Sequence, residues 1–394
     1  MKKTIIAAYW VFAIAGRLVA GEADAPRAFE FERIVIDADF PGGYQVETAD
    51  VNGDGKLDVI GLGGDVCAWY ENPNWKKRIV TDKRHSPGII SSATADLDGD
   101  GKAEIAVAYD FEMNQPRRGK LLLASQGEGL DDPWKITPIT DLNSIHRLRW
   151  GDLDGDGKLD LLVAPIFGPA AKPPVYEDPA QIVAFTSVDV RDPAKWRLRP
   201  LANRPVTHAI EILPSFDEIK RPVVLAANNQ GVTLIEASND KAVARDLVPG
   251  AAGDRPKRGG SEIHRGKFKD GRTFLATVEP WHGTDVVVWP RKSTGDLEFG
   301  PRTVLDDTLA DGHALWVADL NGDGQDEVLA GHRGKDHRVA LYDYNADSQS
   351  WRRTIVDQAV APQDLRGGDV DGDGKPDVVT IGGSTHNIVL YRSR

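Results

Sequence analysis

Two histidines, His146 and His313, each stand six residues ahead of an aspartate, Asp152 and Asp319, that opens the same acidic motif. His208 holds an equivalent place at the head of the apolar run Ala209-Ile210-Glu211-Ile212-Leu213. A fourth, His282, sits in Glu279-Pro280-Trp281-His282-Gly283. Imidazole serves both as a Zn²⁺ ligand and as a general base near neutral pH, so four of them in one cleft would make a metal site with a base beside it. The alternative is that each caps a strand end by hydrogen bonding. His85, His264, His332, His337 and His386 lack this recurrence and read as surface or packing residues. Arg147, Arg149 and Arg333 lie close by in sequence. A guanidinium suits carboxylate or sugar hydroxyl oxygens, although arginine is also an ordinary surface residue. Arg147, Arg333 and the aromatic Trp281 are the substrate-binding candidates.

The motif that follows these histidines is the loudest pattern in the chain. Its first copy offers Asp50, Asn52, Asp54 and Asp58, with a backbone carbonyl expected from Lys56. Four more copies offer Asp96, Asp98, Asp100 and Glu104; Asp152, Asp154, Asp156 and Asp160; Asp319, Asn321, Asp323 and Glu327; and Asp369, Asp371, Asp373 and Asp377. Oxygen ligands at alternate positions, with glycine allowing a tight bend, wrap a hard cation such as Ca²⁺. An EF-hand needs Glu at the twelfth position, where this chain has Gly61, Val107, Val163, Ala330 and Thr380. Short apolar runs such as Leu161-Leu162-Val163 follow each loop and read as strands. The expectation is up to five structural calcium sites, each clamping a turn between two strands.

The first aspartates recur about every 50 residues, and the gap from Asp152 to Asp319 is about three such intervals. Two repeats have therefore lost the loop. One runs through Thr207 to Leu213, Pro222 to Ala226 and Val232 to Ile235; the other through Glu262 to Arg265, Thr273 to Val278 and Asp285 to Trp289. Seven units of four strands predict an all-β, seven-bladed β-propeller over residues 27–394. The last unit stops three strands in, and Phe29 to Ile36 precedes the first, so the N-terminal strand is expected to join the C-terminal blade and close the ring. The start of each innermost strand faces one mouth of the channel, which is where the histidines would meet. Trp75, Trp134, Trp196 and Trp351 recur before outer strands, which favours packing between blades over sugar stacking.

Composition narrows the classes. The 394 residues carry a formal net charge of −12, which bound cations would partly neutralise. No basic tract suggests nucleic acid. The single Cys67 excludes an internal disulfide and reads as a core residue. Lys2 and Lys3 precede an apolar run from Ile5 to Ala15, with small residues after it, which predicts a signal peptide over residues 1–20. A periplasmic or extracellular protein without a further membrane span is expected; oligomeric state is left open. No Gly-x-Ser-x-Gly, Walker or dinucleotide signature occurs.

The aspartate repeats resemble FG-GAP or VCBS repeats of integrin-type and bacterial exported propellers. A narrower resemblance is carried by Ser144-Ile145-His146-Arg147-Leu148, Val163-Ala164-Pro165-Ile166, Val206-Thr207-His208, Glu279-Pro280-Trp281-His282-Gly283 and Gly312-His313-Ala314-Leu315-Trp316. In that order they are similar to the propeller of the aldos-2-ulose (1,5-anhydro-D-fructose) dehydratases, which eliminate water from keto-sugars and bind zinc in the propeller. By this resemblance His146 matches the proton-abstracting base, and His208, His282 and His313 match pocket histidines, some of them ligands of a catalytic divalent metal such as Zn²⁺. Two departures are expected: the chain ends after the propeller without the cupin part, and a second-blade pocket histidine is replaced near Ala93. The resulting reading is a secreted carbon–oxygen lyase acting by β-elimination on a keto-sugar or 3-keto-glycoside. The alternatives are a non-catalytic glycan- or protein-binding calcium propeller and a polysaccharide lyase acting on uronates, which would lean on Arg147, Arg149 or Arg333.

Overall fold

The computed structural model describes residues 29–394, apart from 187, 239–240 and 294–296. The expected signal segment therefore lies outside the described residues. Among them there is no helix long and apolar enough to cross a membrane, and the one helical element is a three-residue 3-10 turn at Pro193–Lys195.

Strands pair in chain order into seven four-stranded antiparallel sheets. The seven innermost strands are Gly43–Ala49, Ser91–Ala95, Ile145–Gly151, Ala209–Leu213, Glu262–Lys267, Gly312–Ala318 and Pro362–Gly368, for blades one to seven. Second strands such as Asp58–Gly63 and Thr273–Glu279 are buried along their whole length, with apolar runs at their centres and buried polar groups such as Asp58, Thr277 and Glu279 among them. Blades four and five, which lack the aspartate loop, have the same four strands as the rest.

Hydrophobic cores lie between neighbouring blades. Val46, Val59 and Tyr70 of blade one pack with Val379, Ile381, Ile388 and Leu390 of blade seven. Trp134 and Trp196 are buried in such cores, as their recurrence predicts. Closure is as expected. The strand Phe31–Asp37 pairs antiparallel with Ile388–Ser393, Phe31 opposite Ser393 and Val35 opposite Val389, and gives blade seven its outer strand. Both edges of the seam are thereby satisfied. Tyrosines tie blades together at the rim: Tyr342 of blade six donates to Asp306 at the end of blade five (2.7 Å), and Tyr391 of blade seven donates to Asp357 of blade six (2.7 Å).

Candidate metal centre and active site

One position in the blade builds the site. In blades one, three, six and seven the ladder between the first and second strands slips by one residue, leaving Tyr44, His146, His313 and Gln363 unpaired between partners in register. A bulge of this kind re-aims one side chain. In the other three blades Ile90, His208 and Ser261 donate their N–H to Ala108, Ala227 and Val278, the residues that also pair with the next position along. Seven equivalent residues thus ring the mouth of the channel.

The ring also sets the histidine tautomers. His146 Nδ1 lies 3.1 Å from the carbonyl of His208, His208 Nδ1 lies 3.0 Å from that of Ser261, and His313 Nδ1 lies 2.6 Å from that of Gln363. Each acceptor is the equivalent residue of the next blade. A carbonyl only accepts, so each Nδ1 carries the proton and each Nε2 presents a lone pair. Glu262, buried with His208, places its Oε1 2.9 Å from His208 Nδ1.

His282 joins from the connection between the second and third strands of blade five, at φ +49°. Its Nε2 is 3.0 Å from His208 Nε2, and its Nδ1 is 3.3 Å from the Arg333 guanidinium and 3.5 Å from Asp311 Oδ1. Arg333 is held by Asp311 (2.8 Å) and by the Gln363 side chain (2.6 Å). Ring centroids of His208, His282 and His313 are 4.8–5.0 Å apart, and their ligand nitrogens lie within 4.8 Å of one another. His208 and His313 are buried, whereas His282 remains partly open.

These residues fit a zinc-like cation. His313 Nε2 is buried without a hydrogen-bond partner, an expensive state for a polar atom unless something occupies the space it faces. Burial, reinforced by Arg147, Arg333 and the neighbouring imidazoles, holds His146, His208, His282 and His313 well below the usual histidine range, so all four are neutral. Neutral imidazoles with their second nitrogens already held are what a three-histidine site with an open position needs.

His146 sits beside this cluster, its ring 4.7 Å from that of His208. Its Nε2 faces the Tyr44 hydroxyl at 2.8 Å. Arg147 lies over the Tyr44 ring at 5.3 Å and approaches Glu262 at 3.7 Å. It is 5% exposed and so is not an ordinary surface arginine; Glu262 and Asp364 offset its charge. Arg149 lies deeper, where burial and then Arg366 bring its pKa down to about 10. Trp281 is 5% exposed, with the rings of Phe167, Tyr176 and His282 around it, so it builds the wall of the cleft and leaves little surface for stacking. His264 pairs with Glu211 at 3.0 Å, inside the channel and away from the four.

The chain carries FG-GAP-like repeats. Their family model matches residues 50–107 and 319–380, the loop-bearing blades at the two ends of the chain. Residues 121–292 match the model described as the aldos-2-ulose dehydratase β-propeller domain, a segment that holds His146, His208 and His282. The aldos-2-ulose dehydratase of Phanerodontia chrysosporium is 25% identical over 233 residues, covering 54% of this chain and 25% of that protein. The match thus spans a quarter of the relative's length. Among solved structures, an Agrocybe aegerita lectin that recognises non-reducing terminal N-acetylglucosamine covers 81% of both chains at 13% identity and a TM-score of 0.51. The β-propeller domain of Cps50 (Swd1) from Myceliophteria thermophila covers 92% of this chain and 99% of its own at 11% identity and a TM-score of 0.51. At these identities the likeness is one of fold.

Sequence reasoning that looked for histidine alone missed Tyr44, Gln363 and Ser261. The signal was present: Tyr44 and Gln363 stand six residues before Asp50 and Asp369, as His146 and His313 do before their loops.

The aspartate loops fold alike. Each opening carboxylate gathers loop N–H groups, as Asp50 does from Gly53 (2.8 Å) and Gly55 (2.9 Å). Each closing carboxylate turns inward to the backbone: Asp58 to Val51, Glu104 to Leu97, Asp160 to Leu153, Glu327 to Leu320 and Asp377 to Val370. In three loops the ligand oxygens converge within 4.8 Å, namely Asp96, Asp98 and Glu104; Asp152, Asp154 and Asp156; and Asp369, Asp371 and Asp377. The other two carry Asn52 and Asn321 at the third position. Burial first, and then the neighbouring carboxylates, push Glu104 up to about 7 and Glu327 up to about 9.

Proposed function

We propose that this propeller is a metal-dependent carbohydrate lyase that eliminates a β-substituent from a keto-sugar or 3-keto-glycoside. Similarity to the aldos-2-ulose dehydratase propeller supports the class of reaction. The observation that carries the reading is the convergence of His208, His282 and His313, each Nδ1 engaged and each Nε2 turned to a common space, beside the neutral, buried His146.

His208, His282 and His313 would hold the metal. A divalent cation there supplies Lewis-acid stabilisation of the charge that develops on the ketone oxygen as the α-proton leaves. His146 is the base of that step: its Nδ1–H is tied to the His208 carbonyl, so Nε2 is its basic atom. Arg333, anchored by Asp311 and Gln363, lies at the open side and orients sugar oxygens. The aspartate loops are proposed to bind Ca²⁺ as clamps within their blades, and export to the periplasm or medium would supply it.

Metal analysis of protein purified without chelators, followed by an ultraviolet assay for enone formation from 3-keto-glycosides, tests the reading. Stoichiometric zinc with enone formation that His146→Ala abolishes is the expected result. Zinc-free protein that binds glycans without consuming keto-sugar would make it a binding module; unsaturated uronate release would make it a polysaccharide lyase.

A further inference from the structure

Tyr44 comes from blade one and His146 from blade three, yet the phenol oxygen lies 2.8 Å from His146 Nε2. The direction of that hydrogen bond follows from the far side of the imidazole. His146 Nδ1 faces the His208 carbonyl at 3.1 Å, which can only accept. Arg147 Nη1, at 3.2 Å from Nδ1 and 3.4 Å from Nε2, is nearly equidistant from both nitrogens and so is not directed at either lone pair. Nε2 therefore accepts while the Tyr44 hydroxyl donates. His146 is 3% exposed, enclosed by Phe111 (5.7 Å between ring centroids), His208 (4.7 Å) and Tyr44 (6.1 Å). Tyr44 itself is only partly buried, and its ring also stands 5.3 Å from that of His313. The basic nitrogen is thus covered by the phenol, while the phenol borders the space the three other histidines enclose. A substrate in that space meets Tyr44 before it meets His146.

Resting on the lyase reading above, we propose that Tyr44 is the catalytic residue in contact with the substrate and that it relays protons to and from His146. The C–H bond α to the ketone breaks toward Tyr44 Oη while the phenol's own proton moves to His146 Nε2. The C–H electron pair becomes the new C=C bond as the β C–O bond breaks, and the leaving oxygen takes a proton back along the same two groups. Atoms and charge balance without an oxidant or reductant. Arg147, 3.5 Å from the hydroxyl and over the ring, holds the phenol in place and favours the oxygen while it carries partial negative charge.

The test is Tyr44→Phe in the full chain, compared with His146→Gln and wild type on two substrates, a methyl and a p-nitrophenyl 3-keto-glucoside. Tyr44→Phe keeps the ring under Arg147, and its melting temperature and zinc content should match wild type. Elimination of the methyl glycoside should fall at least 100-fold, the scale of lost acid–base catalysis. The p-nitrophenyl compound, whose leaving group needs no proton, should fall less. The His146 ¹⁵Nε2 resonance should move on loss of the hydrogen bond, a readout independent of turnover. Tyr44→Phe within about threefold of wild type, with His146→Gln inactive, would overturn the relay and leave the lyase reading standing. Wild type inert toward both substrates would remove the lyase reading and the relay with it. Should Tyr44→Phe fold poorly, 3-fluorotyrosine placed at position 44 should displace the pH–rate profile toward acid; an unmoved profile would overturn the relay.

Discussion

His208 and His282 meet Nε2 to Nε2 at 3.0 Å across the boundary between blades four and five. Two lone pairs cannot face each other at that distance, so a proton or a cation must lie between them. His208 Nδ1 already donates to Ser261, which leaves a proton on His282 Nε2 as the metal-free solution.

On the proposed zinc uptake the His282 proton would move to Nδ1, where Asp311 Oδ1 lies at 3.5 Å and would accept it once the Arg333 N–H, 3.3 Å away, turns aside. Asp311→Asn should weaken zinc by about 10–100-fold, as loss of an outer-sphere carboxylate does. His282→Ala should lose it altogether with the fold intact. Competition with a chromogenic chelator measures both; unchanged affinity in Asp311→Asn would deny it this role.

The four neutral imidazoles make stability depend on pH in the metal-free protein. Their folded values lie below the ordinary one, chiefly through burial. The unfolded chain therefore takes up protons first, and stability falls as pH drops below about 6.5. Urea midpoints of chelator-treated protein should decline from pH 7 to 5, and less steeply in His146→Gln. A flat profile would mean that these rings are solvated.

Asp306 behaves in the opposite sense to an isolated buried carboxyl. Burial alone would raise its pKa, but hydrogen bonds from Thr308, Arg353 and Tyr342 outweigh it and hold the group well below its ordinary value. Its contribution is present above the unfolded value of about 4 and is lost as pH falls through the folded value. Asp306→Asn should cost about 2–3 kcal/mol at pH 7. That gap should narrow below pH 4, as read by denaturant melts.

Glycines in one loop differ in cost. Gly53 and Gly55 both lie at positive φ, but a methyl on Gly53 would run into the Gly101 carbonyl of the next blade's loop, whereas Gly55 faces open space. Gly55→Ala should cost about 1 kcal/mol through backbone strain and Gly53→Ala clearly more. Equal melting temperatures would mean that the two loops do not touch.

The blade count and the ring closure could be read from the chain because the aspartate loops mark five blades, the gap between Asp152 and Asp319 has room for two more, and a strand precedes the first unit while the last stops one strand short. The meeting of His146, His208, His282 and His313 was legible from their place in the blade. Tyr44 shares that place, six residues ahead of Asp50, but a search for histidine passes over it, and its contact with His146, 102 residues away, depends on tertiary pairing that the local pattern does not encode. Arg147 reads as a surface residue by type and is buried where Tyr44, Glu262 from two blades on and its own His146 carbonyl surround it. Trp281 followed the same logic in reverse: an aromatic beside a site residue suggested a platform, and Phe167 and Tyr176 had already covered it.

The pairing of Phe31–Asp37 with Ile388–Ser393 has a consequence in time. The first described strand to leave the ribosome must wait for the last before blade seven exists. Gln363, whose carbonyl fixes His313 and whose side chain steadies Arg333, belongs to that blade. Synthesis from one end can therefore raise six sheets with their apolar faces partly matched while the site is still missing a wall. A growing chain would lack the proposed site until then, and zinc uptake, if the three histidines hold it as proposed, would report that the circle has shut.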